Sequence, residues 1–167
     1  MAAHHRRFQQ EAPMKIRSAT VSDADEIARI INAAFEIERE FRPGERTSPS
    51  EVLTSISQKH GIFLVAEDEG RLVGAVEVRV EGDAGYFGML AVDASVRRGG
   101  IGRALVEAAE AHCRSAACSV MTMSTGENRT ELIPYYEKMG YRVAAVEPST
   151  NPAFKYPIRV VKMEKPL

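Results

Sequence analysis

The sequence predicts an α/β (α+β mixed) fold. One mixed, mostly antiparallel sheet of about six or seven strands carries about four helices, in the order β-α-α-β-β-β-α-β-α-β-β. Three observations lead there. An apolar stripe at helical spacing, Ile27, Ile30, Ile31, Ala34 and Phe35, marks an amphipathic helix near the start. Ile62–Glu67 and Arg71–Val80, separated by Asp68-Glu69-Gly70, read as a β-hairpin. The strand-like run Gly85–Val92 then enters a glycine-rich turn, Arg97–Arg103, which leaves into the helix-forming run Ala104–His112.

Bulk properties narrow the class. At 167 residues the chain fits one domain, able to bury roughly two-thirds of its unfolded surface. With 22 basic and 23 acidic side chains, it lacks the positive footprint of a general nucleic-acid binder. No apolar run reaches the roughly 20 residues that a membrane span needs, so no membrane partner is expected. The two cysteines, Cys113 and Cys118, do not make a disulfide scaffold and fit a reducing, cytoplasmic setting. No His, Cys or carboxylate cluster has metal-ligand spacing, so no metal is expected.

Residues 1–13 are polar, include His4 and His5, and end at Pro13; they read as a flexible extension ahead of a single domain over 14–167. Lys15 to Ala19 is a short strand. Ser22 is placed to cap the first helix, with Asp23, Asp25 and Glu26 in the first turn, where the helix dipole favours acids. That helix runs toward Phe41 and breaks at Pro43-Gly44. Ser48 caps a second helix, with Pro49 in its first turn and Val52, Leu53 and Ile56 facing inward. It ends near His60-Gly61, before the hairpin, and the Glu81–Gly85 turn returns the chain into the fourth strand. Beyond the long helix come a strand over Ser119–Ser124 and a short helix over Leu132–Gly140. Pro134 keeps that helix from starting before Glu131, and Gly140 stops it. Strands over Tyr141–Val146 and Tyr156–Met163 flank a loop over Glu147–Ala153.

Strand, glycine turn and helix in this order make an anion site. Gly99, Gly100 and Gly102 let successive N–H groups point inward with no Cβ in the way. The helix start adds unpaired donors and its positive dipole end, and Arg97 and Arg98 add charge suited to phosphate. The Lys-Ser/Thr of a nucleotide P-loop does not follow Gly102. The turn also does not open the first β-α unit, as a dinucleotide fingerprint would.

On these residues the chain resembles the GNAT superfamily of acyl-coenzyme A-dependent N-acyltransferases. The family's Gln/Arg-x-x-Gly-x-Gly/Ala loop is matched by Arg97, Gly100 and Gly102, and its preceding apolar strand by Met89–Asp93. An aromatic helix motif appears as Tyr136-Glu137-Lys138-Met139-Gly140-Tyr141. The resemblance covers 14–167. It implies a sheet splayed between the fourth and fifth strands, with acetyl-coenzyme A as acyl donor and an amine of a small molecule or peptide as acceptor.

The same resemblance implies site roles. Coenzyme A pyrophosphate would lie on Arg97, Arg98, Gly99, Gly100, Ile101, Gly102 and Arg103, and pantetheine along the backbone of Leu90, Ala91 and Val92. The Leu90 N–H would act as oxyanion donor, Tyr136 as general acid to the leaving thiolate, and Asn128 as a cofactor contact, in a register one residue longer than usual. Tyr135 would be core or substrate wall. No carboxylate lies in Gly85–Val92, so no base is assigned among Glu77, Glu36, Glu38, Glu40, His60 or a water chain. Acceptor specificity is expected from Glu36–Thr47 and Glu147–Lys155. A homodimer through the final strands is common in such domains. A catalytically silent acyl-coenzyme A-binding regulatory module is the alternative, and O-acylation is a third reading that no residue excludes.

Overall fold

A computed structural model describes residues 14–59, 61–96 and 99–167. The chain forms β1 (Lys15–Ser18), α1 (Ala24–Ala34), α2 (Pro49–Ser57), β2 (Gly61–Asp68), β3 (Arg71–Glu81) and β4 (Ala84–Val92). Then follow α3 (Ile101–Ser115), β5 (Val120–Gly126), α4 (Leu132–Glu137), β6 (Arg142–Pro148) and β7 (Arg159–Pro166). The seven strands form one sheet in the order β1-β2-β3-β4-β5-β7-β6. Every neighbour is antiparallel except β4 and β5. Element order and mixed sheet are those predicted.

Period-two alternation divides the core between the two sheet faces. Leu64, Ala66, Val73, Val76 and Val78 face α3, which answers with Ile101, Leu105, Val106, Ala109 and Cys113. Phe63, Val65, Leu72, Ala75 and Ala91 face the other way, onto Ile27, Ile30 and Ile31 of α1 and Val52 of α2. Each buried isoleucine stabilises by about 1.5–3 kcal/mol, so the α1 stripe is what fastens that helix to the sheet. Cys113 and Cys118 are free and buried, and burial pushes the Cys113 thiol up to about 11.

Several boundaries differ from expectation. Ser22 does not cap α1: a 3-10 turn over Val21–Asp23 precedes the helix, and Thr20 caps that turn. The cause is Asp23, whose carboxylate accepts from the Thr20 N–H at 2.7 Å and takes two bonds from the Arg17 guanidinium at 2.8 and 3.1 Å. Ser48 does cap α2, its Oγ accepting from the Glu51 N–H at 3.2 Å, but Leu53 points outward and is 37 % exposed. Past α1 the chain tightens into a 3-10 turn over Glu36–Glu40. The helix after the glycine turn starts earlier, at Ile101, and α4 ends earlier, at Glu137. The last loop runs over 149–158, later than expected, because β6 continues to Pro148.

Candidate active site

The site begins with an irregularity in β4. Along β3, Ala75 faces Ala91 but Glu77 faces Gly88, so Met89 and Leu90 together oppose Val76. This is a β-bulge, and Met89 occupies it at φ +51°, a left-handed conformation that costs a non-glycine residue about 1–2 kcal/mol. On its other side β4 pairs with β5 only over Ala84–Tyr86, against Val120–Thr122. Thr122 Oγ1 donates to the Gly85 carbonyl at 2.8 Å at the end of this short ladder. Beyond it the strands diverge, as the resemblance implied. The edge of β4 that faces β5 keeps its backbone groups unclaimed by the sheet from Phe87 to Val92.

The gap between the strands is a cavity of about 480 Å³. Gly88, Met89, Leu90 and Val92 form one wall, and Met123 to Gly126 the other. At one end lies the start of α3. Gly100 precedes the helix at φ +81°, and its carbonyl receives the Ala104 N–H at 2.9 Å. The N–H groups of the helix's first turn therefore have no partner within the helix. Gly102 lines the cavity, and a Cβ there would meet the Tyr135 hydroxyl at 2.7 Å. Tyr135 thus stands over the helix start, with no room for a side chain beneath it.

Tyr136 projects from α4 into the same cavity and is 6 % exposed. Its ring packs 5.8 Å from Phe87, 6.2 Å from Tyr141 and 5.0 Å from Tyr135, measured between centroids. Burial raises the phenol above its ordinary value, so the hydroxyl keeps its proton at neutral pH. Behind it, Tyr141 donates to Glu110 Oε2 at 2.8 Å, and Lys165 pairs with the same buried carboxylate at 3.0 Å. That network anchors the aromatic cluster from below.

Not all the sequence-predicted residues share this arrangement. Leu90, Val92, Gly102 and Tyr136 line the cavity. The Ala91 and Ile101 side chains are buried in the two cores, leaving only their backbone to the site. Arg103 is exposed and pairs with Glu107 at 3.2 Å. Asn128 is exposed, and its Oδ1 lies where a Cβ on Gly126 would meet it at 2.6 Å. Arg97, Arg98 and the base candidate His60 lie outside the described residues.

Among the other base candidates only Glu38 lines the cavity, and Arg129 holds it at 2.6 Å, itself also paired with Glu131 at 2.7 Å. Glu77 is buried beside Arg79 at 3.6 Å, while Glu36 and Glu40 are exposed. Among the described residues, no group of His, Cys, Asp or Glu is placed to hold a metal.

The two segments expected to set acceptor specificity meet each other. The Lys155 N–H donates to the Phe41 carbonyl at 2.7 Å, and the Phe41 and Phe154 rings lie 6.0 Å apart. Together they close the cavity over Tyr86, Arg42, Arg46 and Arg129. The expectation for Glu36–Thr47 covers Arg42 and Arg46 only as part of that segment, where Glu36, Glu38, Glu40 and Glu45 balance their charge; Tyr86 and Arg129 carry no sequence signal that singles them out.

The family model described as "Acetyltransferase (GNAT) family" matches residues 25–141. An IAA acetyltransferase of Azospirillum brasilense is 36% identical over 81 residues, which is 47% of this chain and 53% of that protein. The chain thus spans about half the length of that relative, as it does of a second from Bacillus subtilis (strain 168), at 53%. A ribosomal-protein-alanine N-acetyltransferase from Brucella melitensis superposes with a TM-score of 0.76 at 22% identity, over 92% of this chain and 99% of that one. YncA from Salmonella typhimurium, described as a putative acetyltransferase with its cofactor acetyl-CoA, gives 0.75 at 19% identity, over 93% and 95%. These two share the fold. With the splayed strands, the glycine-capped helix start and the family match over most of its length, the chain belongs to the GNAT family of acetyltransferases.

Proposed function

We propose that the protein transfers acetyl from acetyl-coenzyme A to a primary amine of a small molecule or peptide, by direct attack within a ternary complex. One observation carries the reading. A free strand edge, a glycine-capped helix start and a buried phenol converge on a single cavity. The solved relative that holds acetyl-CoA supports the choice of donor.

The shape suits that donor. The first-turn amides of α3, with Gly99, Gly100 and Gly102 leaving the approach open, would receive the pyrophosphate, aided by Arg97, Arg98 and Arg103. The free edge of β4 at Leu90 to Val92 would pair with the amide groups of pantetheine. Asn128, whose Oδ1 lies close to Gly126 at the end of the facing wall, would be a further contact. The thioester supplies an activated acyl group.

Around it the chain's own residues divide the work. The Leu90 N–H, in the bulge, donates to the thioester oxygen as negative charge develops there. The amine nitrogen forms the new C–N bond as the C–S bond breaks, and its proton leaves through the cavity to water. Tyr136 donates to the departing sulfur, hands over its proton as charge accumulates, and regains one from solvent. The products are an acetamide and free coenzyme A. The catalytic unit is read as 14–167, in a reducing cytoplasmic setting that suits two free thiols.

The test is release of free thiol from acetyl-coenzyme A over a panel of amino acids, polyamines, aminoglycosides and peptide N-termini. Amine-dependent release, with the acetylated amine detected by mass, is the expected result. Saturable acetyl-coenzyme A binding with no amine turned over would instead favour the silent regulatory module.

A further inference from the structure

The acceptor end of the cavity carries an excess of positive charge. Arg42, Arg46 and Arg129 line it, against the single carboxylate of Glu38. Arg129 is paired with two carboxylates, holding Glu38 at 2.6 Å and Glu131 at 2.7 Å. Neighbouring cations are committed too: Arg39 faces Glu45 at 3.6 Å, and Arg79 stacks 4.6 Å over Tyr86 beside Glu77. Among the described residues, Arg42 and Arg46 have no ion pair.

Arg46 is half-buried, its Cζ 5.5 Å above the Phe35 ring. Burial first, and then the charge of Arg42, lower its hold on its proton, and the more distant carboxylates of Glu38 and Glu77 offset this only in part. Guanidinium groups are kept in partly dry sites where a planar anion is to be received.

The position argues against a role in gripping the coenzyme's pyrophosphate. Arg46 stacks on Phe35, just past the end of α1, and shares the cavity lining with Tyr86, near the entry end of β4, whereas Gly102 and the start of α3 lie past the exit of that strand at Val92. Six residues of strand separate Tyr86 from Val92, at most roughly 20 Å given the bulge at Met89. We infer that Arg42 and Arg46 form an anion subsite for the acceptor, so that the amine acetylated here is a small zwitterion bearing a carboxylate or phosphonate.

This deepens the acetyl-transfer reading and rests on it. Two guanidiniums without a directly paired carboxylate repel an ammonium group, so polyamines and aminoglycosides are disfavoured. The same field favours the neutral, nucleophilic amine once its anion is docked. The nitrogen loses its proton on forming the C–N bond, sulfur takes one from Tyr136, and the product keeps the anion as an N-acetylated acid.

The experiment compares α-amino acids with their own carboxamides in thiol release from acetyl-coenzyme A, alongside aminoalkylphosphonates and spermidine. A pair of charge-assisted bonds predicts kcat/KM for the acid at least about tenfold above its amide, although the amide's amine is the less protonated. In Arg46→Gln and Arg42→Gln that ratio collapses toward one, and Arg46→Lys restores part of it. Unchanged melting temperatures confirm that the variants fold. Equal or better use of amides or spermidine, or equal losses on both members of a pair, overturns the anion subsite and leaves acetyl transfer standing.

Binding to the coenzyme A-loaded protein supplies an independent measurement, by titration with an N-acetyl amino acid and its N-acetyl amide. The acid is expected to bind several-fold more tightly. Equal binding sinks the subsite whether or not any amine is turned over, while thiol release from no amine at all counts against acetyl transfer itself.

Discussion

Replacing Tyr136 with phenylalanine separates packing from chemistry. The ring is held by Phe87, Tyr135 and Tyr141, and among the described residues no side chain hydrogen-bonds its hydroxyl. Phenylalanine keeps those contacts and removes one polar atom from a buried place, so stability should move by less than about 1 kcal/mol.

Turnover should fall further. A coenzyme thiol resembles a cysteine thiol, with an ordinary pKa near ~8.5, while burial lifts the Tyr136 phenol above its usual value. Complete proton transfer in the ground state is therefore uphill. The stabilisation comes mainly from a charge-assisted hydrogen bond to the developing sulfur anion. Such a bond contributes about 1.5–3 kcal/mol, or about 10- to 150-fold in kcat.

Steady-state thiol release, with acetyl-coenzyme A affinity measured separately by titration, reads both quantities. The expected result is a fall in kcat within that range at near-constant affinity. Because the raised phenol stays protonated past its ordinary range, wild-type activity should show no alkaline decline from Tyr136 below about pH 10. An unchanged kcat in Tyr136→Phe refutes the acid role, and a fall in melting temperature matching the fall in rate would reduce it to packing.

Three further outcomes follow from named contacts. Gly102→Ala brings a Cβ to 2.7 Å from the Tyr135 hydroxyl; Tyr135 is partly exposed and gives way, so stability changes little. Titration with coenzyme A should show affinity reduced by about tenfold as Tyr135 is pushed over the first-turn amides.

Glu110→Ala leaves the Tyr141 hydroxyl and Lys165 without their shared carboxylate, which is 3 % exposed. Urea unfolding should show a loss of about 2–3 kcal/mol, lessened in the double variant with Lys165→Met.

Asp23 is held down to about 2, chiefly by the Arg17 hydrogen bonds, against an ordinary 3.8. The folded state thus binds this proton less readily than the unfolded chain. The resulting stability, at most about 2 kcal/mol, is complete above about pH 5 and is lost as pH falls through about 2. Acid titration of Arg17→Gln should show that part of the transition missing.

The fold was legible because its signals are local. Stripe spacing in α1, Ser48 ahead of Pro49, and the hairpin with its Asp68-Glu69-Gly70 turn each depend on residues adjacent in the chain. Errors arose where a contact outside the helical pattern intervened. Ser22 lost the capping role because Thr20 and Asp23 cap the preceding turn, braced by Arg17 from β1. Leu53 satisfies helical spacing, yet the surface that α2 packs against covers only Val52 and part of Ile56.

By itself, the sequence determined which residues are proposed for the donor half of the site. Glycines at fixed offsets, an apolar strand before them and the Tyr136 helix after them are all readable in one dimension, because backbone freedom and helix starts are properties of short segments. Only the tertiary structure singled out the residues proposed for the acceptor half. Arg42 and Arg46 sit among glutamates in the sequence, and only folding shows which of those carboxylates are drawn away to Arg129 and Arg39. Charge in a cavity depends on which groups are paired within a few ångströms, and that pairing joins residues as far apart as Glu38 and Arg129.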